Sequence, residues 1–212
     1  MVVLMGCYRL SKRQVAEILE TCFGVSVAVS SVVNQQQVVS AALAQPVEEL
    51  QAYVKVQSAC NVDETSWRQG EQSKASWLWV VVTALVTVFH IVPSRSGAVA
   101  RQLLGETYDG VVGSDRASAY TWLDPAHRQV CWSHLLRDFQ KILERGGDSY
   151  RIGATLKVYA EYLLVLWARV RDGTLAYEAF VAEFPAIQTQ LRYWLDQGLH
   201  CPDDPTAETC RP

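Results

Sequence analysis

The stretch "GVVGSDRASAY", residues 110–120, carries the pattern that decides the fold. Its apolar run predicts a short buried strand, and this strand ends on Asp115. An ionised carboxylate is costly to bury unless it is paired or binds a metal ion. A single aspartate at a strand end most often caps the following turn, so Asp115 alone favours a cap over a metal ligand.

A second aspartate ends an earlier predicted strand. The segment "SACNVDETSW", residues 58–67, predicts a strand that ends near Asp63. Glu64 follows directly, and because side chains alternate along a strand we expect it to face the other way and to have a structural role.

The elements between and after these aspartates predict the sheet order. Residues 76–83 and 86–92 predict two strands, "SGAVARQLLG" predicts a helix, and "RQVCW" after Asp115 predicts a fifth strand. Three strands, a helix and a fourth strand begin a ribonuclease H-like sheet, in which the first and fourth strands are neighbours. Two aspartates 52 positions apart would then meet at one sheet edge. Paired carboxylates repel unless a cation lies between them, and Mg²⁺ prefers such oxygens, so the pair indicates a metal site while the two caps remain the alternative.

The N-terminal segment predicts a pair of helices. Ser11 and Gln14 form a capping-box pattern, and a glycine-containing break separates this helix from "SVAVSSVVNQQQVV". This is a helix-turn-helix outline, although a helical hairpin that only packs fits the pattern equally well. Lys12 and Arg13 are candidate contacts to DNA phosphates, and contact with water alone is the plainer alternative.

The predicted organisation has four parts in an α/β chain. We expect a helical segment that includes a helical connector over residues 41–57 with Pro46 near a helix start. An incomplete ribonuclease H-like core follows, then a helical insertion with separate helices over 174–184 and 186–197, and a tail that frays. Their boundaries are 1–57, 58–147, 148–200 and 201–212.

Composition excludes some functional classes. Half of the 212 residues are hydrophobic and 19% are charged, which argues against wholesale disorder. The net charge of −3 gives no strong basic field, and six separated cysteines without a C-x-x-C pair indicate reduced thiols in a cytosolic protein. Twenty uncharged residues between Lys74 and Arg95 are long enough to span a bilayer, but their valine, tryptophan and threonine content favours a buried strand pair over a membrane helix.

Four segments together resemble a known family. "NVDETSWR", "KASWLWVVVTALVTVFHIVPSR", "GVVGSDRASAYTWL" and "RQVCWSHLLRDFQKILERGG", in this order and spacing, resemble the transposases of the insertion sequence 66 family over roughly residues 6–200. The resemblance implies a DDE-type catalytic core with a helical insertion, in which Asp63 and Asp115 are the first two acidic residues. It implies Mg²⁺ or Mn²⁺ as cofactor, DNA ends and target DNA as partners, homo-oligomers of the full-length protein, no membrane, and a bacterial cytoplasmic, nucleoid-associated location.

The sequence departs from the family at its third acidic residue. Relatives carry a glutamate in an N-N-x-A-E-R-type stretch beyond the insertion, and this sequence contains no such stretch. Asp138, on the helix after the fifth strand, does not match the family motif. We therefore expect an internal piece of a transposase that is weak or inactive alone. The glutamates in other contexts are Glu144, Glu161, Glu178, Glu183 and Glu208.

Several further residues carry lesser expectations. Arg116 and Arg137 are candidate DNA phosphate contacts, and His134, near Cys131, is a possible neighbour of the active site. Two alternative functions remain open: a non-catalytic DNA-binding remnant, or an inert pseudogene product that folds poorly. The second alternative predicts that apolar helix residues are exposed, namely Leu163, Leu164, Leu166 and Trp167.

Overall fold

The computed structural model describes residues 1–68 and 75–211. It is an α/β protein with a five-stranded sheet and two short 3₁₀ turns, Ser118–Tyr120 and Pro125–His127. The helices are α1 Val2–Gly6, α2 Lys12–Phe23, α3 Val29–Val54, α4 Gly97–Leu104, α5 Trp132–Glu144, α6 Gly147–Arg171, α7 Tyr177–Leu199 and α8 Asp204–Cys210. The strands are β1 Ala59–Arg68, β2 Ala75–Val82, β3 Thr87–Val92, β4 Val111–Ser114 and β5 Arg128–Val130.

The chain forms two compact units. Unit 1 comprises Met1–Val112 and Ser118–His127, and unit 2 comprises Gly113–Ala117 and Arg128–Pro212. Unit 1 therefore holds the first three strands and the N-terminal helices, whereas unit 2 holds the helices from α5 onward.

The strand order of the sheet is β3-β2-β1-β4-β5. β2 pairs antiparallel with both β1 and β3. The predicted neighbourhood of the first and fourth strands is thus confirmed, and the backbone N–H of Val111 donates to the carbonyl oxygen of Ser58 at 2.9 Å where β4 begins.

β1 extends further than its sequence pattern predicted. The prediction that it ends near Asp63 is wrong, because Thr65, Ser66 and Trp67 continue the ladder opposite Leu78, Trp77 and Ser76 of β2. Asp63 is therefore an interior strand residue, and the alternative that it caps a strand end does not apply to it.

The apolar segment before Arg95 forms β2 and β3, which confirms the predicted strand pair. Its predicted burial is confirmed only in part, because Trp79 and Val81 are buried whereas Phe89 and Ile91 are exposed. Within the part of the chain that the structure describes, none of the helices combines the length and the apolar character needed to cross a bilayer. The minority prediction of a membrane helix is therefore wrong for this segment.

The N-terminal helices begin as predicted but continue further. Gln14 N–H donates to the Ser11 hydroxyl while Ser11 N–H donates to the Gln14 side chain, which is the predicted capping box. Gly24 ends α2 with φ +66°, a left-handed conformation that glycine adopts without strain. The predicted second helix and connector are one 26-residue helix with Pro46 inside it. Strong helix formers on both sides of Pro46, rich in Ala, Gln, Glu and Leu, account for this continuity.

The helices of unit 2 correct two predictions. Pro185 lies inside a single helix, α7, so the predicted break at this residue is absent. The predicted tail contains α8, where the Asp203 side chain accepts a hydrogen bond from Thr206 N–H. A Cβ added at Gly198 of α7 would overlap the buried Cys210 of α8, which shows how closely these helices approach.

The core of α6 and α7 is largely buried, against the expectation from the pseudogene alternative. Leu163 and Leu166 are 5% and 4% exposed and pack with Ile187. Leu164 is half-buried, and of the four residues only Trp167, at 43%, is exposed. The α6–α7 pair thus provides its own apolar partner.

Candidate functional site

Asp63 lies on the exposed face of β1. Burial alternates along this strand, with Val62 and Glu64 buried and Asp63 exposed between them. Asp63 is opposite Val80 of β2, and its Oδ1 accepts a hydrogen bond of 3.1 Å from the backbone N–H of Glu64. Its other oxygen can therefore bind a ligand without the loss of a backbone contact.

Asp115 directly follows β4 and shapes the turn after it. Its Oδ1 accepts a hydrogen bond of 2.9 Å from the backbone N–H of Ala117, which is the turn-capping role that the sequence left open. Its backbone oxygen accepts from the Ser114 hydroxyl at 2.9 Å and from Arg128 Nη2 at 3.1 Å. These contacts fix the backbone at Asp115 and orient its carboxylate.

The two aspartates belong to different compact units, and each is described within its own. Asp63 lies on β1 and Asp115 directly follows β4. These two strands are neighbours in the strand order. Among residues 1–68 and 75–211, no group of three or more His, Cys, Asp or Glu side chains could hold a metal ion.

Glu64 forms a buried ion pair on the opposite face of β1. Its side chain is 0% exposed, and its Oε1 lies 2.6 Å from Arg95 Nε. Its Oε2 accepts a short hydrogen bond from the hydroxyl of Tyr120. The prediction that Glu64 faces away from Asp63 is confirmed. The sequence did not predict the roles of Arg95 and Tyr120, because these residues lie 31 and 56 positions from Glu64. The only signal for them was an acidic residue at a strand position expected to face away from Asp63.

Arg116 is engaged within unit 2. Its Nη1 donates to the carbonyl oxygen of Thr209 at 2.6 Å, and its Nη2 lies 3.3 Å from Asp138 Oδ2. Asp138 also pairs with Lys141 at 3.1 Å. Both Arg116 and Asp138 therefore have partners inside the protein.

His134 and Arg137 lie on α5. Cys131 is the N-cap residue of this helix, and its carbonyl oxygen accepts from His134 N–H at 3.0 Å. The His134 Nδ1 atom is buried and has no hydrogen-bond partner within the described part of the chain. Arg137 is exposed.

Lys12 and Arg13 form the exposed start of α2. Together with Met5, Leu10 and Val29 they line an open groove of about 550 Å³ within unit 1. Two cations beside an apolar groove give this surface an amphipathic character.

The comparisons with known proteins give the family of the chain. No curated protein matches it. The family model described as "Transposase IS66 family" matches residues 5–182, a range that includes β1, β4, α5 and the two aspartates. The chain therefore belongs to the IS66 family of transposases.

Proposed function

We propose that this chain is a DDE-type catalytic core of ribonuclease H-like fold that cuts and joins DNA phosphodiesters. The family membership supports DNA transposition as the process. The observation that carries the catalytic proposal is the strand order, in which β1, with the exposed Asp63, neighbours β4, which leads into Asp115.

The donor set fits Mg²⁺ or Mn²⁺ in its chemistry. Both ions prefer carboxylate oxygens, and Asp63 and Asp115 offer two such groups. In the proposal, Asp63 binds from the exposed face of β1, and the Asp115 turn holds the second carboxylate through Ala117 N–H. When bound, a pair of divalent ions would activate the attacking oxygen and stabilise the leaving oxygen of a phosphodiester.

In the proposal, Asp63 and Asp115 are two of the three acidic residues that the family resemblance implies, and no motif for the third occurs in this sequence. In the proposal the chain therefore binds divalent ions weakly and cuts DNA slowly or not at all by itself. In the proposal, the transposase acts as a homo-oligomer on transposon ends and target DNA in the bacterial cytoplasm, in association with the nucleoid.

Metal titration tests the proposed site directly. Mn²⁺ binding, followed through the spin-resonance signal of free Mn²⁺, should be reduced at least tenfold in Asp63→Asn and in Asp115→Asn, since each removes one charged ligand. Asp109→Asn is the control, because this exposed aspartate lies just before β4. Equal Mn²⁺ affinity in wild type and Asp63→Asn would refute the site.

A nicking assay on transposon-end DNA tests the activity. We expect little or no cleavage with Mg²⁺ or Mn²⁺, and any residual cleavage should disappear in Asp63→Asn. Robust cleavage that depends on Asp63 would show that another residue of this chain completes the site.

A second function is favoured by the surface at the start of α2. The exposed Lys12 and Arg13 can contact DNA phosphates, with Arg137 as a further exposed cation, so a non-catalytic DNA-binding role is the alternative. In a gel shift at increasing salt, Lys12→Ala/Arg13→Ala should weaken DNA binding. The slope of the logarithm of the binding constant against the logarithm of the salt concentration should decrease in magnitude by up to about two. Arg171→Ala/Arg192→Ala, which removes the same charge from exposed positions of unit 2, should leave binding unchanged. Equal binding by both double variants would exclude the α2 surface as the DNA contact.

A further inference from the structure

The buried ion pair of Glu64 joins three distant segments of unit 1. Glu64 lies on β1, Arg95 lies in the connection between β3 and α4, and Tyr120 ends the 3₁₀ turn that follows β4. We call Glu64, Arg95 and Tyr120 the Glu64 network. No local sequence pattern produces this network, because it exists only when the three segments are folded together.

The network holds a full charge out of solvent. The Glu64 side chain is 0% exposed and Tyr120 is 0% exposed, whereas the Arg95 side chain remains 42% exposed. A buried carboxylate is tolerated only when its oxygens are paired, and here each oxygen has one partner that donates to it. Glu64 therefore cannot turn towards solvent without losing the hydrogen bond from the Tyr120 hydroxyl.

Two tryptophans of β2 hold the partners in place. The Trp79 ring packs edge-on against Tyr120 with ring centres 6.2 Å apart, and its Nε1–H donates to the Ser94 carbonyl oxygen at 3.0 Å. The Arg95 guanidinium lies 5.0 Å above the Trp77 ring. Both Arg95 and Tyr120 thus contact a tryptophan ring of β2 in addition to Glu64, and Trp79 is the β2 residue paired with Glu64.

The network has a consequence for Asp63, the next residue along the strand. Because neighbouring strand residues point to opposite faces, a Glu64 side chain held inside keeps Asp63 on the exposed face. A slip of one residue in the β1 register would exchange the two acids between the faces. The Glu64 backbone N–H also donates to Asp63 Oδ1, so the same residue orients the carboxylate itself.

The network also reaches the segment of the second aspartate. Tyr120 lies five residues after Asp115 in the sequence and ends the 3₁₀ turn Ser118–Tyr120. Its hydroxyl anchors that turn to β1, the strand of Asp63. One hydrogen bond thus limits the freedom of the chain that leads away from Asp115.

We propose that Glu64, with Arg95 and Tyr120, is a positioning group that holds Asp63 on the exposed face of β1 and anchors the segment after Asp115, and that Glu64 itself is not a metal ligand. This inference rests on the proposed function, because it assumes that the two aspartates bind a divalent ion. Such outer groups of metal sites commonly change affinity by about 10–100-fold when they are altered.

Mn²⁺ titration of the full chain tests the inference. Glu64→Gln and Tyr120→Phe should each lower Mn²⁺ affinity about tenfold or more at a temperature where both variants are folded. Arg95→Lys, which keeps a cation at the partly exposed position, should retain more affinity than Arg95→Ala. The controls are Glu17→Gln and Tyr150→Phe, which change exposed residues of the same types and should bind Mn²⁺ as wild type does. If Asp63→Asn lowers Mn²⁺ affinity, wild-type affinity in both Glu64→Gln and Tyr120→Phe would overturn the inference.

Amide hydrogen exchange without metal separates this inference from the proposed function. Tyr120→Phe should speed exchange at Glu64 and in the turn 118–121 while leaving α6 and α7 protected as in wild type. If Asp63→Asn and wild type bind Mn²⁺ equally but this exchange pattern appears, the metal site fails and the positioning network stands. Unchanged exchange at Glu64 and in the turn would overturn the network, whatever the metal affinity.

Discussion

At the scale of single residues, the unusual feature is an acid that the fold buries beside one that it exposes. Asp63 and Glu64 are adjacent in sequence and chemically alike, yet only Glu64 has a side chain with 0% exposure. Strand alternation separates them, and Arg95 and Tyr120 make the burial of Glu64 tolerable. The difference between the two residues is therefore one of partners and not of residue type.

The Tyr120 hydroxyl should contribute measurably to stability. Tyr120→Phe removes the donor to Glu64 Oε2 and leaves a buried charged acceptor with fewer partners. We expect a loss of about 1–3 kcal/mol in the free energy of unfolding, measured by urea denaturation at neutral pH. Tyr193→Phe, at an exposed position of α7, should change the stability little, and an equal loss in the two variants would contradict the role given to Tyr120.

The thiol of Cys60 should make stability depend on alkaline pH. Burial raises the pKa of the Cys60 thiol above its ordinary value of 9.0, which outweighs a smaller lowering by Tyr108, and burial also raises the pKa of Tyr108. The folded chain keeps the Cys60 proton at a pH where the unfolded chain has lost it. This contribution is therefore complete below about pH 9 and is lost as the pH rises through the raised pKa.

Denaturation midpoints between pH 7 and pH 10.5 measure this effect. The free energy of unfolding should fall above pH 9, and the fall should be shallower in Cys60→Ala, while Tyr108 and Cys210 maintain the rest of the slope. An identical slope in Cys60→Ala would mean that the Cys60 thiol does not titrate differently in the two states.

At the scale of elements, one glycine sets the distance between two helices of unit 2. A Cβ added at Gly153 of α6 would lie 2.7 Å from the Phe139 carbonyl oxygen of α5 and would overlap the Leu143 backbone. The two helix backbones are therefore in close contact at this point. Phe139 and Ile152, both buried, belong to the core cluster around it.

Gly153→Ala should accordingly destabilise unit 2. Although alanine favours helices, the overlap with backbone atoms forces the helices apart, and such overpacking costs about 1–3 kcal/mol. Gly6→Ala in α1 is the control, because nothing lies within 4 Å of the added Cβ and the variant should be neutral or slightly more stable. Thermal melting followed by circular dichroism measures both, and a melting temperature of Gly153→Ala at or above wild type would contradict the close contact.

The elements also show how far the sequence could predict the structure. Alternating and apolar runs located all five strands, and the capping box at Ser11 and Gln14 located the start of α2, because these signals are local. Helix breaks at Pro46 and Pro185 were predicted and are absent, since surrounding helix formers and packing outweigh the loss of one backbone hydrogen bond. The end of β1 was placed too early because its continuation depends on pairing with β2.

Only those features of the candidate site that depend on neighbouring residues in the sequence could be predicted. Asp63 and Asp115 were identified from their strands and from the family resemblance. The partners of Glu64 and the pairing of Arg116 with the Thr209 carbonyl oxygen could not be predicted, because such contacts join residues 31 to 93 positions apart. Residue chemistry alone does not indicate which distant partner the fold brings near.

At the scale of the whole molecule, the six cysteines divide by exposure. All six are free thiols, of which two are exposed, one is half-buried and three are buried. Burial also raises the pKa of Cys60 and Cys210, so these thiols form little reactive thiolate at neutral pH.

Brief reaction with N-ethylmaleimide should therefore label Cys7 and Cys22 first. Mass spectrometry of proteolytic peptides would show these two modified before Cys60, Cys201 and Cys210, and all six should react in denaturant. Early labelling of Cys60 in the native protein would contradict the burial of this side chain on β1. Cys7→Ala/Cys22→Ala should then lose the fast phase without a change in the slow one.

The close approach of α7 and α8 at Gly198 implies an evolutionary constraint on paired positions. Because a side chain at 198 would occupy the space of Cys210, a larger residue at 198 can be inherited only together with a smaller one at 210. In a library randomised at both positions and selected for folding, variants with a larger side chain at 198 should carry a smaller one at 210. Substitutions that enlarge both residues should be absent from the survivors, because α7 and α8 leave no space for two larger side chains at these positions.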